Sequence, residues 1–264
     1  MNLTQGSFLI AASFGAGVMN AMAGGGTILT FPSLVFLGLP TIAANATSTV
    51  GLLPGAMTSL FGYIDDVREQ RQWLKTLFLP SLIGGAIGSV LLLRTPEKTF
   101  AVLAPLLILF ATLLFMAQGI LARSAARRKT EQSTPIPEAG PSPRRWTLAV
   151  VLQLGVAVYG GYFGAGIGIL MLSLLGFLGL ANIHAANGIK NFFGFCINVV
   201  AASYFMIKGA VVWPVALVIV AGAAIGGYSG ARFAKRIGKE KARVAVVIIG
   251  FVVTAILFWQ QVTK

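Results

Sequence analysis

The amino-acid sequence predicts an all-α polytopic integral membrane protein built from two inverted repeats of about four helical segments each. Composition is the first reason, because hydrophobic residues fill 56% of the 264 positions, charged residues fill 10%, and the mean hydropathy is +0.85. The second reason is that no charged side chain precedes Asp65, whereas about 20 apolar residues already suffice to cross a bilayer. The third is an internal repeat of short motifs.

The apolar segments divide evenly around one polar stretch. This stretch, residues 123–146, is expected to be a basic cytoplasmic linker between a first transmembrane repeat, 1–122, and a second, 147–264. Four apolar segments precede it and four follow it, at residues 8–37, 41–62, 76–93, 99–122, 147–178, 183–206, 210–231 and 244–262. A multi-pass protein follows from this pattern.

Three short motifs of the first half return in the second half in the same order. The first-half motifs are Phe36–Leu39, Ala43–Asn45 and Gly84–Gly88, and their counterparts are Phe177–Leu180, Ala185–Asn187 and Gly222–Gly226. The offsets are 141, 142 and 138 residues. Constant order at a nearly constant offset indicates an internal duplication.

Basic side chains predict which loops face the cytoplasm. Much of the net charge of +13 comes from two clusters, within residues 123–145 and 232–243. Such clusters in the loops of a membrane protein mark the cytoplasmic side and its anionic lipid headgroups, so lipids and not nucleic acid are the expected partners. Because three apolar segments separate the two clusters, one of these segments must fail to make a simple crossing.

Glycine-rich stretches predict where the chain breaks its helices. Five glycines occupy the nine positions from Gly160 to Gly168, and each lowers helix stability by about 1 kcal/mol relative to alanine. The matching segment of the first half contains Gly24–Gly26 and then Pro32. A broken or re-entrant segment at the start of each repeat gives each half an odd number of crossings. The halves are then inverted relative to each other, as in many transporters. A long, tilted and closely packed helix is the alternative.

The breaks and the polar clusters that follow them predict a binding site for a small anion. Backbone groups at membrane depth are left unpaired only inside protein or beside a water-filled cavity, and helix amino termini favour anions. Hydroxyl, amide and ammonium groups suit an oxyanion. The candidate substrate-binding residues are Gly24, Gly25, Gly26, Asn45, Thr47, Ser48, Thr49, Gly164, Gly166, Asn187, Lys190 and Asn191.

Structural roles for some of these residues stay open. Lys190 lies near the start of its apolar segment, so its ammonium group could reach an interface by snorkelling. A packing role is equally open for the glycines of the candidate site. Helix packing is favoured for the glycines spaced by four residues, which are Gly84/Gly88, Gly222/Gly226 and Gly226/Gly230.

Missing residue types argue against several functions. The apolar segments contain no Asp or Glu, and the chain has no G-x-x-x-x-G-K-[ST] motif, so neither a carboxylate proton relay nor ATP drive is expected. One His and one Cys offer poor chemistry for an intramembrane enzyme or a metal cluster. No enzyme activity, cofactor or metal is therefore expected. An exported anion needs none of them, because it gains about 2.3 kcal/mol per charge for each 100 mV of inside-negative potential.

Several of these motifs resemble the TauE/SafE family of bacterial membrane proteins, known as sulfite exporters. The first half carries Ala23–Gly26 with Pro32 and then Ala46–Ser48, and the second half carries Ala186–Asn191, Trp213–Pro214 and Gly226–Arg232. In the second half the glycine run is interrupted by Ala165 and Ile167, and Leu172 or Ser173 stands where proline is expected. Whether the second break has the shape of the first is therefore open.

The resemblance implies transport of sulfite, an organosulfonate or a related sulfur oxyanion across the bacterial inner membrane. The expected function is export by alternating access. The membrane potential can drive this export, and coupling to a second ion is then not required. An anion channel and a non-transporting membrane assembly factor are the alternatives. The oligomeric state is open, and a homodimer is compatible with the sequence.

Overall fold

A computed structural model describes residues 2–22, 25–61, 67, 70–131, 143–180, 182–237 and 239–262. The side chains of both predicted basic clusters and residue Gly24 lie outside the described part of the chain. The described residues form ten helices and no strand. The helices are α1 (Leu3–Met22), α2 (Thr27–Phe36), α3 (Thr41–Phe61), α4 (Arg71–Arg94), α5 (Glu97–Glu131), α6 (Pro143–Tyr162), α7 (Ile167–Phe177), α8 (Ile183–Ile207), α9 (Trp213–Ile237) and α10 (Lys239–Val262).

The helices have the length and surface of a multi-pass membrane protein, which confirms the predicted class. Among the described residues, three helical stretches are long and apolar enough to cross a bilayer, namely Arg71–Arg94, Glu97–Ala117 and His184–Ile207, and shorter apolar helices accompany them. Large apolar side chains stand on the outside, with Phe177 exposed by 71%, Trp259 by 72% and Ile207 by 80%. An apolar surface of this extent matches the acyl chains of lipids.

Both predicted helix breaks are present. The apolar segment 8–37 holds two helices, α1 and α2, and the segment 147–178 holds α6 and α7. The second helix of each pair is short, with 10 residues in α2 and 11 in α7. At a rise of about 1.5 Å per residue, neither spans the hydrocarbon core of about 30 Å. Each is therefore a half-helix that follows a break.

Helices of one half pack most closely on helices of the other half. In α4, a Cβ at Gly84 would lie 2.8 Å from the Leu154 carbonyl oxygen of α6, and in α9 a Cβ at Gly222 would lie 3.0 Å from the Ile10 carbonyl oxygen of α1. Gly88 and Gly226, one turn later, likewise face the backbones of α6 and α1. The predicted packing role of these four glycines is confirmed, while Gly230 lies outside the described side chains.

Other helices also pack against a helix of the other half. Gly51 of α3 packs on Ile219 of α9, and Gly85 of α4 packs on Ile197 of α8. The buried side-chain amide of Gln153 in α6 donates to the Ser81 hydroxyl of α4 at 2.8 Å. The helices α1 and α3 of the first half thus lie against α9, and the helices α6 and α8 of the second half lie against α4.

The last helices of the two halves, α5 and α10, pack antiparallel. Gln261, near the end of α10, donates from Nε2 to the Ala101 carbonyl near the start of α5 at 2.6 Å. Later in α5, the Thr112 side chain fills the space that a Cβ at Gly250, earlier in α10, would occupy. The carboxyl-terminal half of α5 and the amino-terminal half of α10 therefore lie at the same end of this pair.

Candidate functional site

The second break joins α6 to α7 through two glycines in the left-handed region. Gly164 has φ of 78° and Gly166 has φ of 76°, a conformation that side chains with a Cβ rarely adopt. The Tyr159 hydroxyl donates to the Ala165 carbonyl at 2.6 Å. From α3, the Asn45 amide donates to the Tyr162 carbonyl at 3.0 Å. Carbonyls that a continuous helix would have paired are thus satisfied by side chains.

Buried aromatic rings of α2 and α5 pack against the residues of this break. Phe163 packs edge-to-face on Phe31 of α2, with ring centroids 5.4 Å apart, and Phe100 of α5 lies 5.6 Å from the Tyr162 ring. Phe31, Phe100 and Phe163 are fully buried. Edge-to-face pairs at these distances are favourable beyond the area they bury, so they hold the turn against α2 and α5.

The first break is fixed by an asparagine that precedes it. The Asn20 side chain accepts a hydrogen bond from the Gly26 amide at 2.9 Å, and Gly25 has φ of 100°. A Cβ at Gly25 would collide with the Phe115 ring of α5. The two breaks therefore differ in their bonding, although both end at the amino terminus of a half-helix.

The helices that carry the polar clusters, α3 and α8, are each capped by a side-chain oxygen. Glu97 of α5 accepts hydrogen bonds from the backbone amide and the hydroxyl of Thr41 at the start of α3, the latter at 2.7 Å. Asn182 accepts from the His184 amide at 2.9 Å at the start of α8. Such caps satisfy amides of the first helical turn, and they fix where each polar cluster begins.

A small cavity lies where the two breaks meet the polar clusters. Its volume is about 100 Å³. The amino-terminal ends of both half-helices border it, with Thr27 of α2 and Ile167 and Gly168 of α7. The other lining residues are Asn20, Gly25, Thr49, Leu52, Ala56, Gly164, Lys190, Asn191, Gly194, Phe195 and Asn198.

Corresponding faces of α3 and α8 form two walls of this cavity. Thr49, Leu52 and Ala56 of α3 line the cavity, and so do Asn191, Gly194 and Asn198 of α8, each 142 residues later in the sequence. This is also the offset between Asn45 and Asn187. These six lining residues are therefore related by the same offset as the short sequence motifs.

Lys190 brings a positive charge to the cavity, and of the described residues that line it, Lys190 alone is charged. Its aliphatic stem lies along the start of α7, since a Cβ at Gly168 would be 3.2 Å from Lys190 Cδ. Asn191 and Asn198 of the same helix, α8, line the cavity with Lys190, and the Asn198 amide nitrogen also donates to the Gly194 carbonyl at 2.8 Å. Together with two helix amino termini, they supply hydrogen-bond donors and positive potential, which suit an oxyanion.

The structure brings together part of the predicted site. Five of the twelve candidate residues line the cavity, namely Gly25, Thr49, Gly164, Lys190 and Asn191. Gly26 and Gly166 belong to the breaks without lining it. Asn187 is half-buried, one turn before Lys190 and Asn191, and Gly24 lies outside the described residues.

Three polar residues of the first cluster form hydrogen bonds inside the protein. Asn45, Thr47 and Ser48 are buried. Asn45 binds the Tyr162 carbonyl as described above, Thr47 accepts from the Val212 amide at 3.0 Å, and the Ser48 hydroxyl is hydrogen-bonded to that of Thr30 at 2.5 Å. These bonds join α3 to α2, α6 and the start of α9. Their geometry gives the three residues a positioning role beside the cavity.

Three polar residues that line the cavity were not predicted from the sequence. Asn198 follows Asn191 by seven residues, or two helical turns, and this spacing was a usable signal for a shared face. Asn20 is an amide in an otherwise apolar segment, six residues before Gly26. Thr27 gave no signal beyond its position directly after the glycine run.

Comparison with known proteins agrees with the geometry. Residues 9–257 match the family described as sulfite exporter TauE/SafE. The chain belongs to the TauE/SafE family. No solved structure was found to match it.

Relatives of this TauE/SafE chain in three bacteria align over almost its whole length. A "Probable membrane transporter protein" of Haemophilus influenzae is 26% identical and covers 97% of this chain and 95% of its own. "Probable membrane transporter protein ORF9" of a Sinorhizobium species is 27% identical, over 92% and 88%. "Probable membrane transporter protein YfcA" of Escherichia coli is 24% identical, over 93% and 87%.

Proposed function

We propose that this multi-pass TauE/SafE protein is a transporter that carries a small sulfur oxyanion, such as sulfite, out of the cell. The observation that carries the proposal is Lys190 beside a cavity bordered by the amino termini of α2 and α7. A charge within a membrane segment costs at least about 2.5 kcal/mol on insertion scales and is retained for a role. A bound anion supplies such a role. The bacterial relatives carry transporter names, and the inner membrane is the location we propose.

The cavity size favours a ligand with few heavy atoms. A protein cavity of about 150 Å³ holds benzene, which has six heavy atoms, and the cavity here is about 100 Å³. Sulfite has four heavy atoms and methanesulfonate has five. Longer sulfonates require the cavity to open, so sulfite is the ligand that we expect to bind most tightly.

We also propose that the two halves are inverted repeats. The antiparallel packing of α5 and α10 supports this, because equivalent helices of parallel repeats would run in the same direction. The exchanged packing of α1 on α9 and of α6 on α4 fits a two-fold relation between the halves. The ends of α5 and α10 that adjoin the basic clusters lie on one side, as the positive-inside rule requires if both clusters are cytoplasmic.

Alternating access follows from the same arrangement as a proposed mechanism. Glycine contacts bring α1 close to α9 and α6 close to α4, so each pair is suited to move as one body. The cavity is lined by α3 and α8, which pack on α9 and α4 respectively. Rocking of one body against the other would expose the cavity to each side in turn. Membrane potential suffices as the driving force for an anion.

Ligand binding to the purified protein tests the proposal. Sulfite, sulfate and methanesulfonate are added to the detergent-solubilised protein, and unfolding temperature is followed as a function of ligand concentration. We expect saturable stabilisation by sulfite, because a ligand that binds only the folded state stabilises it by RT ln(1 + [L]/Kd). An unchanged unfolding temperature at all concentrations would speak against anion binding and favour an assembly factor.

Flux measurements separate a carrier from a channel. In proteoliposomes, a carrier shows saturable sulfite flux that unlabelled sulfite on the opposite side accelerates by exchange, whereas a channel does not show this acceleration. The same preparation, analysed by size, tests whether the protein is a homodimer. No reaction of sulfite is expected, so the transported anion is recovered unchanged.

A further inference from the structure

The helical glycines of this protein fall into two kinds. At Gly84, Gly88, Gly222 and Gly226, a Cβ would run into the backbone of a neighbouring helix. At Gly194 of α8, in contrast, a Cβ would meet no atom within 4 Å. Helix packing therefore explains the first kind and leaves Gly194 unexplained.

The backbone of α8 does not need a glycine at position 194 either. The described residues with positive φ do not include Gly194, and a glycine in a helix interior is less stable than an alanine. Gly194 lies in the middle of α8 (Ile183–Ile207), where that difference applies in full. Gly194 therefore lowers the stability of its helix, and the space that a side chain would occupy at this position is empty of protein atoms.

The space beside Gly194 is part of the cavity. Gly194 lines it together with Asn191 and Asn198, which stand three residues before and four residues after it on the same helix face. The equivalent position of the first half is filled by Leu52. Glycine at position 194 therefore leaves space in the cavity wall that a larger side chain would fill.

We infer that Gly194 determines the size of the oxyanion that the cavity accepts, an inference that rests on the proposed function. The oxyanion held by Lys190, Asn191 and Asn198 extends into the room beside Gly194. A methyl group displaces roughly the space of one water molecule, about 30 Å³ in the liquid. An alanine at this position therefore takes up about one water-sized part of the cavity.

Two substitutions of increasing size, Gly194→Ala and Gly194→Val, test the inference. Dissociation constants for sulfite and methanesulfonate are measured on the purified full-length chain. The control is Gly155→Ala, since Gly155 is also an open helical glycine but is exposed on α6, away from the cavity. Unfolding temperatures without ligand show that each variant is folded, and Gly194→Ala is expected not to unfold below the wild-type temperature because its methyl group meets no atom.

The expected result is a graded loss of affinity. Sulfite binding weakens from wild type to Gly194→Ala to Gly194→Val, with a loss of about tenfold, or about 1.4 kcal/mol, at the last step of the series. Methanesulfonate loses more than sulfite in each variant, and Gly155→Ala binds both ligands as the wild type does. Equal weakening of both ligands, or unchanged binding by Gly194→Ala and Gly194→Val, would overturn the role of Gly194 while leaving the proposed function intact. A wild-type protein that binds neither ligand would overturn both.

Discussion

The side-chain amide of Asn45 donates a hydrogen bond to the main-chain carbonyl of Tyr162 at 3.0 Å. Asn45 belongs to α3 of the first half, and Tyr162 is the last residue of α6 in the second half. The carbonyl at a helix end has no partner within its own helix. The second break is therefore stabilised by the first half of the chain, and neither half forms the site alone.

Substitution of Asn45 by alanine is expected to weaken this junction. The Tyr162 carbonyl would lose its side-chain donor, at a cost of about 1–3 kcal/mol for a buried unsatisfied group. The Asn45→Ala protein should unfold at a lower temperature in detergent and transport more slowly, since Gly164 follows directly after the loosened turn. Ser13→Ala is the control, because the Ser13 hydroxyl is buried without a hydrogen-bond partner among the described residues. Equal unfolding temperatures of the two variants would contradict the assigned role of Asn45.

The glycine contacts between the halves predict a second set of stability changes. In Gly88→Ala and Gly226→Ala, the new methyl group meets backbone atoms of α6 and α1 respectively, and overpacking of this kind costs about 1–3 kcal/mol. Gly155→Ala, with open space at its Cβ, should be neutral or slightly stabilising. Unfolding in a denaturant series ranks the three variants, and a Gly88→Ala protein as stable as Gly155→Ala would show that α4 and α6 are not in close contact.

Much of the fold was predictable because hydrophobicity and glycine content act locally. The apolar segments predicted the helices, and the glycine runs predicted both helix breaks. The exchanged packing between halves was not predictable, since Gly84 and Gly222 indicate a close contact but do not identify the partner helix. Within the polar cluster, the sequence could not separate Thr49 from Thr47 and Ser48. Of the three, Thr49 alone lines the cavity, whereas Thr47 and Ser48 form hydrogen bonds with Val212 and Thr30, and no local sequence pattern identifies these partners.

The antiparallel packing of α5 and α10 predicts a specific cross-link. In a Cys196→Ala background, which removes the native cysteine, the pair Ala101→Cys and Gln261→Cys should be joined in membranes by a short bismaleimide, because the Gln261 side chain reaches the Ala101 carbonyl. The pair Thr112 and Gln261 is the control and should not cross-link, since Thr112 faces Gly250. Efficient cross-linking of the control pair alone would exclude the antiparallel arrangement.

Inverted halves also predict the sidedness of the basic clusters. Single cysteines at Ser124 and Lys239 are labelled in intact cells and in inverted vesicles with a membrane-impermeant maleimide. Both positions should react in inverted vesicles and be protected in cells, as cytoplasmic loops rich in Lys and Arg require. Labelling of the two positions from opposite sides would rule out the inverted arrangement and leave the membrane class unaffected.

Uniport driven by the membrane potential predicts a voltage-dependent flux. Each transported charge gains about 2.3 kcal/mol per 100 mV, so 100 mV shifts the equilibrium ratio of an anion about 50-fold per charge. Sulfite efflux from proteoliposomes should therefore accelerate at inside-negative potential set by a potassium gradient with valinomycin. A flux that ignores voltage and instead follows a proton or sodium gradient would establish coupling to that ion.

Sulfite binding by a Lys190→Met protein tests the central claim most directly. Methionine keeps much of the apolar length that lies along Gly168 while it removes the charge, and Lys208→Met removes an exposed lysine at the end of the same helix as a control. Since a hydrogen bond to a charged group contributes about 1.5–3 kcal/mol, the dissociation constant for sulfite should rise at least about tenfold in Lys190→Met. Lys208→Met should bind as the wild type does. Wild-type affinity for sulfite in a folded Lys190→Met protein would contradict the assignment of this cavity as the anion site.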